Sequence, residues 1–179
     1  INNNKRNIFD MLLAFIKKKK LNNLYNKIIE QSKESCFFKK LEFEDSLNFD
    51  LFKTNLIFVL WYMKSKKIEE GLLNFIINKF VSDLEAALIE SGFGETGLKK
   101  EVRKLVKDFY RSLDFNIKII NSSLQDSKKS RIKLMIKEEY KDSCTDFDSL
   151  ENYYKKNIKL FMELDIKDFW NLNFTFFID

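Results

Sequence analysis

At 179 residues the chain has the length of one domain, and its 45 % apolar and 15 % aromatic residues exclude an intrinsically disordered protein. The absence of Pro and the presence of only four Gly exclude a loop-rich sandwich or barrel and predict an all-α bundle of about six to seven helices. The formal charge of +5, from 32 bases and 27 acids, is too modest to identify a protein that binds polyanions.

Apolar residues recur at helical spacing along most of the chain and predict the individual elements. Ile8, Met11, Leu12, Phe15 and Ile16 predict the first helix. Residues 36–46 show no clean period and link the second helix to the third. The aromatic tail 169–178 alternates as a short strand does, and its state is left open. The predicted helices cover residues 7–19, 21–35, 49–64, 68–91, 97 or 98–120, 130–140 and 147–164, in one domain over residues 1–179.

The segment 49–64 is apolar nearly all round, which is typical of a helix at the centre of a bundle. We therefore predict that it is the core helix and that the Trp61 indole is buried. Gly92 suits the left-handed conformation that ends helix 68–91, and Thr96 is a candidate N-cap for the next helix. Most of the nineteen Phe rings are expected in the core, with an exposed apolar groove as the alternative for some of them.

The sequence shows no export signal and no membrane span. The apolar stretch 11–16 is too short for a signal peptide and precedes four lysines. The longest apolar run, 56–63, is eight residues, whereas a span needs about 20. Cys36 and Cys144 have no metal-type spacing and are expected to be reduced thiols. These observations predict a cytoplasm-like compartment.

No residue pattern indicates catalysis. Histidine is absent, which excludes His-based nucleophile arrangements, His zinc sites and the commonest general base. No pair of acids stands out from the predicted solvated faces, so we expect no enzyme, no catalytic residue, no metal and no cofactor. The segment from Gly92 to Gly97 formally matches G-x-G-x-x-G, but a dinucleotide-binding motif follows a strand. Because this segment follows a helix, we predict a helix–loop–helix corner.

Several bases lie on one face of the predicted helix 97–120. At about 100° per residue they fall within about 100° of one another, opposite Val102, Leu105 and Phe109. The members of this basic stripe are Lys100, Arg103, Lys104, Lys107 and Arg111. One interpretation is a solvated helix face, and the other is a surface for rRNA, anionic lipid headgroups or an acidic protein.

An acidic helix, a Gly-x-Gly corner, a basic–apolar helix and a Phe-Tyr pair follow one another in residues 80–110. With this order, and with upstream aromatic positions, residues 24–113 resemble the ubiquinol–cytochrome c chaperone family of alphaproteobacteria and mitochondria. The positions that match the family pattern are Phe49, Asp50, Asp83, Glu85, Gly92, Gly94, Phe109 and Tyr110. Asn48 and Asn55 depart from it, since the family usually has Arg and often has His there. If these two side chains touch the client, client recognition by this chain is expected to differ from that of the family.

The resemblance implies an all-α, non-enzymatic assembly factor that binds newly made cytochrome b or a related subunit of ubiquinol–cytochrome c reductase. It also implies a small helical partner protein, contact with the ribosome, peripheral contact with the inner membrane, and no DNA. The implied location is the cytoplasm or the mitochondrial matrix. The alternative, from the residues alone, is an RNA- or ribosome-binding helical module that acts through the basic stripe.

Overall fold

The computed structural model describes residues 2–33, 49–124, 129–141 and 146–177. Within these ranges it contains seven helices and no strand, so the all-α prediction is confirmed. The helices are α1 (Asn2–Ser32), α2 (Phe49–Ser65), α3 (Glu70–Glu90), α4 (Glu95–Ser123), α5 (Lys129–Tyr140), α6 (Phe147–Glu163) and α7 (Ile166–Trp170). In these described parts of the chain, no helix is long and apolar enough to cross a membrane.

The first helix is longer than predicted. The two helices expected at 7–19 and 21–35 are one continuous helix, α1, so the predicted break was wrong. The physical reason is that Lys17–Lys20, at the expected junction, are good helix formers, and neither Gly nor Pro interrupts them. In the later part of α1, Leu21, Leu24 and Ile28 are buried in the core.

Helix α2 is the centre of the bundle, as its all-round apolar sequence predicted. Eleven of its 17 residues are buried, and it contacts α1, α3, α4 and α6. Its Phe58 ring lies 5.3 Å from the ring of Tyr154 and 6.1 Å from that of Phe161, both on α6. Aromatic pairs at such distances add to the burial of apolar surface. Much of the aromatic surplus is therefore core material.

Helix α3 ends where Gly92 was predicted to end it. Gly92 has a φ of +86°, its N–H donates to Ile89 O (3.0 Å), and the next N–H, of Phe93, donates to Leu88 O (3.0 Å). This pair of hydrogen bonds is a Schellman motif, and Gly adopts its left-handed conformation without a steric penalty. The motif turns the chain into α4 and confirms the predicted helix–loop–helix corner.

Thr96 was the wrong choice of N-cap for α4. The helix begins at Glu95, so Gly94 is the residue in the capping position. The Gly94 carbonyl accepts hydrogen bonds from the N–H groups of Gly97 (3.0 Å) and Leu98 (2.9 Å), which already places Thr96 inside the first turn. The corner is thus tighter than the sequence pattern indicated.

The aromatic tail is neither a strand nor a free end in residues 171–177. After α7 the chain is irregular, and it buries Phe174 and Phe176 while Thr175 and Phe177 are exposed. The alternation in the sequence therefore marks inward and outward side chains. The rings of Phe174 and Phe176 each lie 5.5 Å from the ring of Phe161. This packing anchors the tail against α6.

Candidate partner-binding surfaces

Helix α4 presents the basic stripe to solvent. All five of its bases are exposed, while Val102 and Phe109 on the opposite face are buried. The outward direction predicted for Lys100, Lys104 and Lys107 is therefore correct. An outward direction suits both a solvated face and a binding surface, so exposure alone does not assign a partner.

Acids of the same helix partly neutralise the basic stripe. Lys104 Nζ lies 2.9 Å from Glu101 Oε1, and Arg111 Nη2 lies 2.8 Å from Asp108 Oδ1. Such exposed pairs between side chains three residues apart contribute little to folding. Lys100, Arg103 and Lys107 form no ion pair with any residue in the described ranges. The charges of these three cations are therefore available to an anionic partner.

An open groove of about 530 Å³ lies between α2, α3 and α4. Its apolar lining consists of Leu60, Trp61, Leu73, Ile77, Leu113 and Ile117. Its exposed polar edge consists of Lys64, Ser65, Glu70, Asn74 and Asn121. A cleft with apolar walls and a polar edge is the usual form of a site for an apolar ligand or helix. We call it the α2–α4 groove.

The Trp61 side chain is a wall of the α2–α4 groove, so the prediction of a buried indole was wrong. It is half-buried and packs against the core from the outside. The reason is geometric, because α3 and α4 do not close over this side of α2. Because α2 is apolar nearly all round, it was predicted to be covered on every side, but one of its faces lines the groove.

Leu73 and Ile77 of this groove follow the helical period of α3. At about 100° per residue they lie within about 60° of the buried Phe80 and Leu84, so the sequence places them on an apolar face but does not show that α2 and α4 leave that part of it open. Ile117 lies about 100° around α4 from Lys100, so the groove and the basic stripe occupy neighbouring faces of one helix. A single partner is able to touch both surfaces.

Most positions of the family pattern have structural roles. The Phe80 ring joins two of them, because it stacks on Phe49 at 6.1 Å and lies 4.7 Å from Phe109. Asp50 forms an ion pair with Lys53 at 2.8 Å in a largely buried setting. Gly92 and Gly94 form the corner between α3 and α4 already described. The pattern therefore follows the core and the turn.

Three further positions of the family pattern reach the surface or its edge. Glu85 and Tyr110 are exposed, and Tyr110 stands beside the stripe on α4. Asp83 is partly exposed and lies 3.5 Å from Lys79. Burial, followed by the charge of Asp83, raises the pKa of the Tyr25 phenol, so this tyrosine stays neutral. Of the three, Glu85 and Tyr110 are the ones open to a partner.

Asn55, one of the two departures from the family pattern, is a core residue. It is fully buried, its Nδ2 donates to Ser32 Oγ at 3.0 Å, and its Oδ1 accepts a hydrogen bond from the Tyr153 hydroxyl. From this buried position Asn55 does not contact a client. The difference between Asn55 and the His of the family therefore affects hydrogen bonds inside the core. Asn48 lies outside the described residues.

A buried hydroxyl–amide network links α2, α4, α5 and α6. The Tyr140 hydroxyl lies 3.1 Å from Thr54 Oγ1 and 2.6 Å from the Tyr154 hydroxyl, and it donates to Asn116 Oδ1 at 3.1 Å. Burial raises the pKa of Tyr140 to about 12 and the pKa of Tyr153 and Tyr154 well above its usual value. These phenols are neutral near pH 7, which suits a structural network.

The described residues contain no group of three or more His, Cys, Asp or Glu side chains placed to hold a metal ion. Cys36 and Cys144 lie outside those residues. Comparison with protein-family models, with curated proteins and with solved structures finds no match to this chain. The resemblance to the ubiquinol–cytochrome c chaperone family therefore stays a prediction from the sequence.

Proposed function

We propose that the chain is a non-catalytic assembly chaperone of the ubiquinol–cytochrome c chaperone type, which binds newly made cytochrome b or a related subunit. The observation that carries the proposal is the open apolar α2–α4 groove with Trp61 in its wall. An exposed apolar surface of this kind costs free energy in water unless a partner covers it. The family resemblance supplies the class of client.

The groove suits a helical apolar segment. An apolar helix face that lies in a groove presents side chains at i, i+3 and i+4, and it needs apolar walls with a polar edge. Leu73 and Ile77 on one wall and Leu113 and Ile117 on the other provide such walls. Lys64 and Glu70 at the edge are available for polar groups of the client.

A blocked groove tests the proposal directly. Asn74 and Asn78 are both exposed on α3 and stand one turn apart, but only Asn74 lines the groove. We expect Asn74→Trp to fill the groove and reduce recovery of cytochrome b in an affinity pull-down from membranes. The matched variant Asn78→Trp adds the same ring outside the groove and should recover the client as the unchanged chain does. Equal recovery by both variants would contradict the assignment of the groove.

Crosslinking gives a second readout of the same contact. A photoreactive amino acid at Ile77 should yield an adduct with the client, whereas the same group at exposed Asn152 on α6 should not. If neither position yields an adduct while the client is still recovered, the client lies on another surface.

A second candidate function follows from the three unpaired cations of the basic stripe, Lys100, Arg103 and Lys107. The stripe would then bind RNA or the ribosome, alone or together with a client in the groove. Phosphate contacts release counterions, so the affinity falls steeply as salt rises, whereas binding in the apolar groove changes little. A salt titration of ribosome binding, with Lys100→Glu as the variant, separates the two functions.

A further inference from the structure

The N-terminal part of α1 has an exposed surface that neither the groove nor the basic stripe explains. Residues 15–20 are all exposed, and Leu21 directly after them is buried. Phe15 is 67 % exposed and Ile16 is 43 % exposed, which is unusual for two adjacent large apolar side chains on one helix. They are the last two apolar positions of the pattern that predicted the first helix.

This surface faces away from the bundle. At about 100° per residue, Phe15 lies about 180° around the helix axis from Leu24, and Ile16 lies about 140° from Leu21. Leu21 and Leu24 are fully buried against the other helices. Phe15 therefore lies on the side of α1 opposite Leu24, whereas Ile16 lies about 80° from Leu24, and the bundle leaves both side chains exposed.

Lysines surround the two exposed apolar residues. Phe15 has Lys18 at i+3 and Lys19 at i+4, and Ile16 has Lys19 at i+3 and Lys20 at i+4, so these side chains share one helix surface. All three of these lysines are exposed. Lys17 points elsewhere, because its Nζ lies 3.4 Å from Glu69 Oε2 at the start of α3.

The net positive charge of the chain comes from residues 2–20. Six of the 32 bases and one of the 27 acids lie in residues 2–20, so the remaining residues contain 26 of each and are neutral overall. Apolar residues interleaved with lysines are the composition of a helix that lies in a membrane interface, with aromatic and aliphatic side chains among the acyl chains and lysines at the phosphates. A nucleic acid would use the lysines but would give Ile16 no apolar environment.

We propose that α1 docks on an anionic lipid surface through Phe15 and Ile16, with Lys18, Lys19 and Lys20 at the lipid phosphates. This contact goes beyond the proposed function, which uses the α2–α4 groove and the basic stripe. The Lys17–Glu69 contact lies next to Glu70 at the edge of the α2–α4 groove. Docking through α1 therefore holds that end of the groove near the bilayer.

The test is the binding of the full chain to vesicles of phosphatidylcholine with about 30 % phosphatidylglycerol, measured by flotation. No client is present, so a negative result leaves the groove proposal standing. We expect binding to these vesicles and much weaker binding to pure phosphatidylcholine. The variant Lys18→Gln, Lys19→Gln, Lys20→Gln should lose about 100-fold in partition coefficient, and Phe15→Ser with Ile16→Ser should lose at least about tenfold.

Two control variants test whether the loss of vesicle binding is specific to α1. Leu134→Ser with Ile89→Ser removes two apolar side chains of comparable exposure, 67 % and 57 %, from other helices and should bind as the unchanged chain does. Lys100→Gln, Lys104→Gln, Lys107→Gln removes the same number of lysines from α4. Circular dichroism of each variant checks that the helices remain.

Three outcomes would overturn the proposal. The first is that the α4 lysine variant loses as much vesicle binding as the α1 lysine variant. The second is that Phe15→Ser with Ile16→Ser binds without loss, since the adsorption is then purely electrostatic. The third is that the chain does not bind anionic vesicles, whereas Lys18, Lys19 and Lys20 bind a single-stranded RNA oligonucleotide.

Discussion

The Asn157 side chain forms hydrogen bonds with Phe177 in both directions. Its Nδ2 donates to the Phe177 carbonyl at 3.2 Å, and its Oδ1 accepts from the Phe177 N–H at 3.1 Å. One buried amide on α6 thus provides the pair of bonds that a neighbouring strand would provide. It fixes the tail so that Phe174 and Phe176 stay in the core.

We expect Asn157→Ala to release the tail and to lower the free energy of unfolding by about 1–3 kcal/mol, because both the N–H and the carbonyl of Phe177 lose their hydrogen-bond partner. Urea denaturation measures the change in stability, and limited proteolysis detects the freed tail. Asn152→Ala, an exposed position of the same helix, is the control and should be near neutral. A tail that stays protected in Asn157→Ala would show that aromatic packing alone holds it.

The buried tyrosines predict a loss of stability at alkaline pH. The pKa of Tyr140 in the folded chain is raised to about 12, whereas the phenol in the unfolded chain ionises near its ordinary pKa of 10.0. The contribution of Tyr140 is therefore complete below pH 10 and is lost as the pH rises from 10 through about 12. Tyr153 and Tyr154 act in the same direction, since burial also raises the pKa of each.

Denaturation at a series of pH values from 8 to about 12 measures this loss. In Tyr140→Phe the decline should be shallower, because one phenol that ionises only on unfolding is gone, although the stability at pH 8 falls by about 1–2 kcal/mol. Phenolate absorbance should appear for these tyrosines only with unfolding. Their ionisation in a chain that is still folded would contradict the buried network.

Substitutions at Trp61 and Phe58 distinguish the wall of the α2–α4 groove from the core. Phe58 is fully buried, so Phe58→Ala should lower the free energy of unfolding by about 3–5 kcal/mol. Trp61 is half-buried, and Trp61→Ala should cost about 2 kcal/mol, roughly half the value for an enclosed aromatic ring. Client recovery should fall in Trp61→Ala at a temperature where both chains are folded. A cost for Trp61→Ala equal to that for Phe58→Ala would show that the groove is closed in solution.

Charge reversal on α4 tests the basic stripe apart from the fold. Changing Lys100, Lys104 and Lys107 together to Glu should alter the free energy of unfolding by less than about 1 kcal/mol, since all three are exposed. If the stripe binds the ribosome or an acidic partner, affinity should fall strongly, and most at low salt. The triple variant needs a melting curve and a binding curve. Unchanged binding at low ionic strength would assign the stripe to a solvated helix face.

The sequence by itself determined the helices and the direction of their side chains. The apolar residues on all sides of segment 49–64 identified α2 as the central helix, the helical period identified the basic stripe as one face, and the left-handed conformation of Gly identified Gly92 as the end of α3. These features depend on residues within a few positions of one another, so local geometry decides them. The same local reasoning failed at Lys20, because the two apolar patterns on either side of it were assigned to two helices and belong to one.

Only the tertiary structure decided which apolar and polar residues are enclosed. Trp61 became a groove wall because α3 and α4 leave one face of α2 open, and Asn55 became a core residue because Ser32 and Tyr153 meet it there. Phe15 stayed exposed because the bundle covers the opposite face of α1. Each outcome depends on contacts between segments far apart in the chain, and a helical period states which residues share a face but not what that face meets.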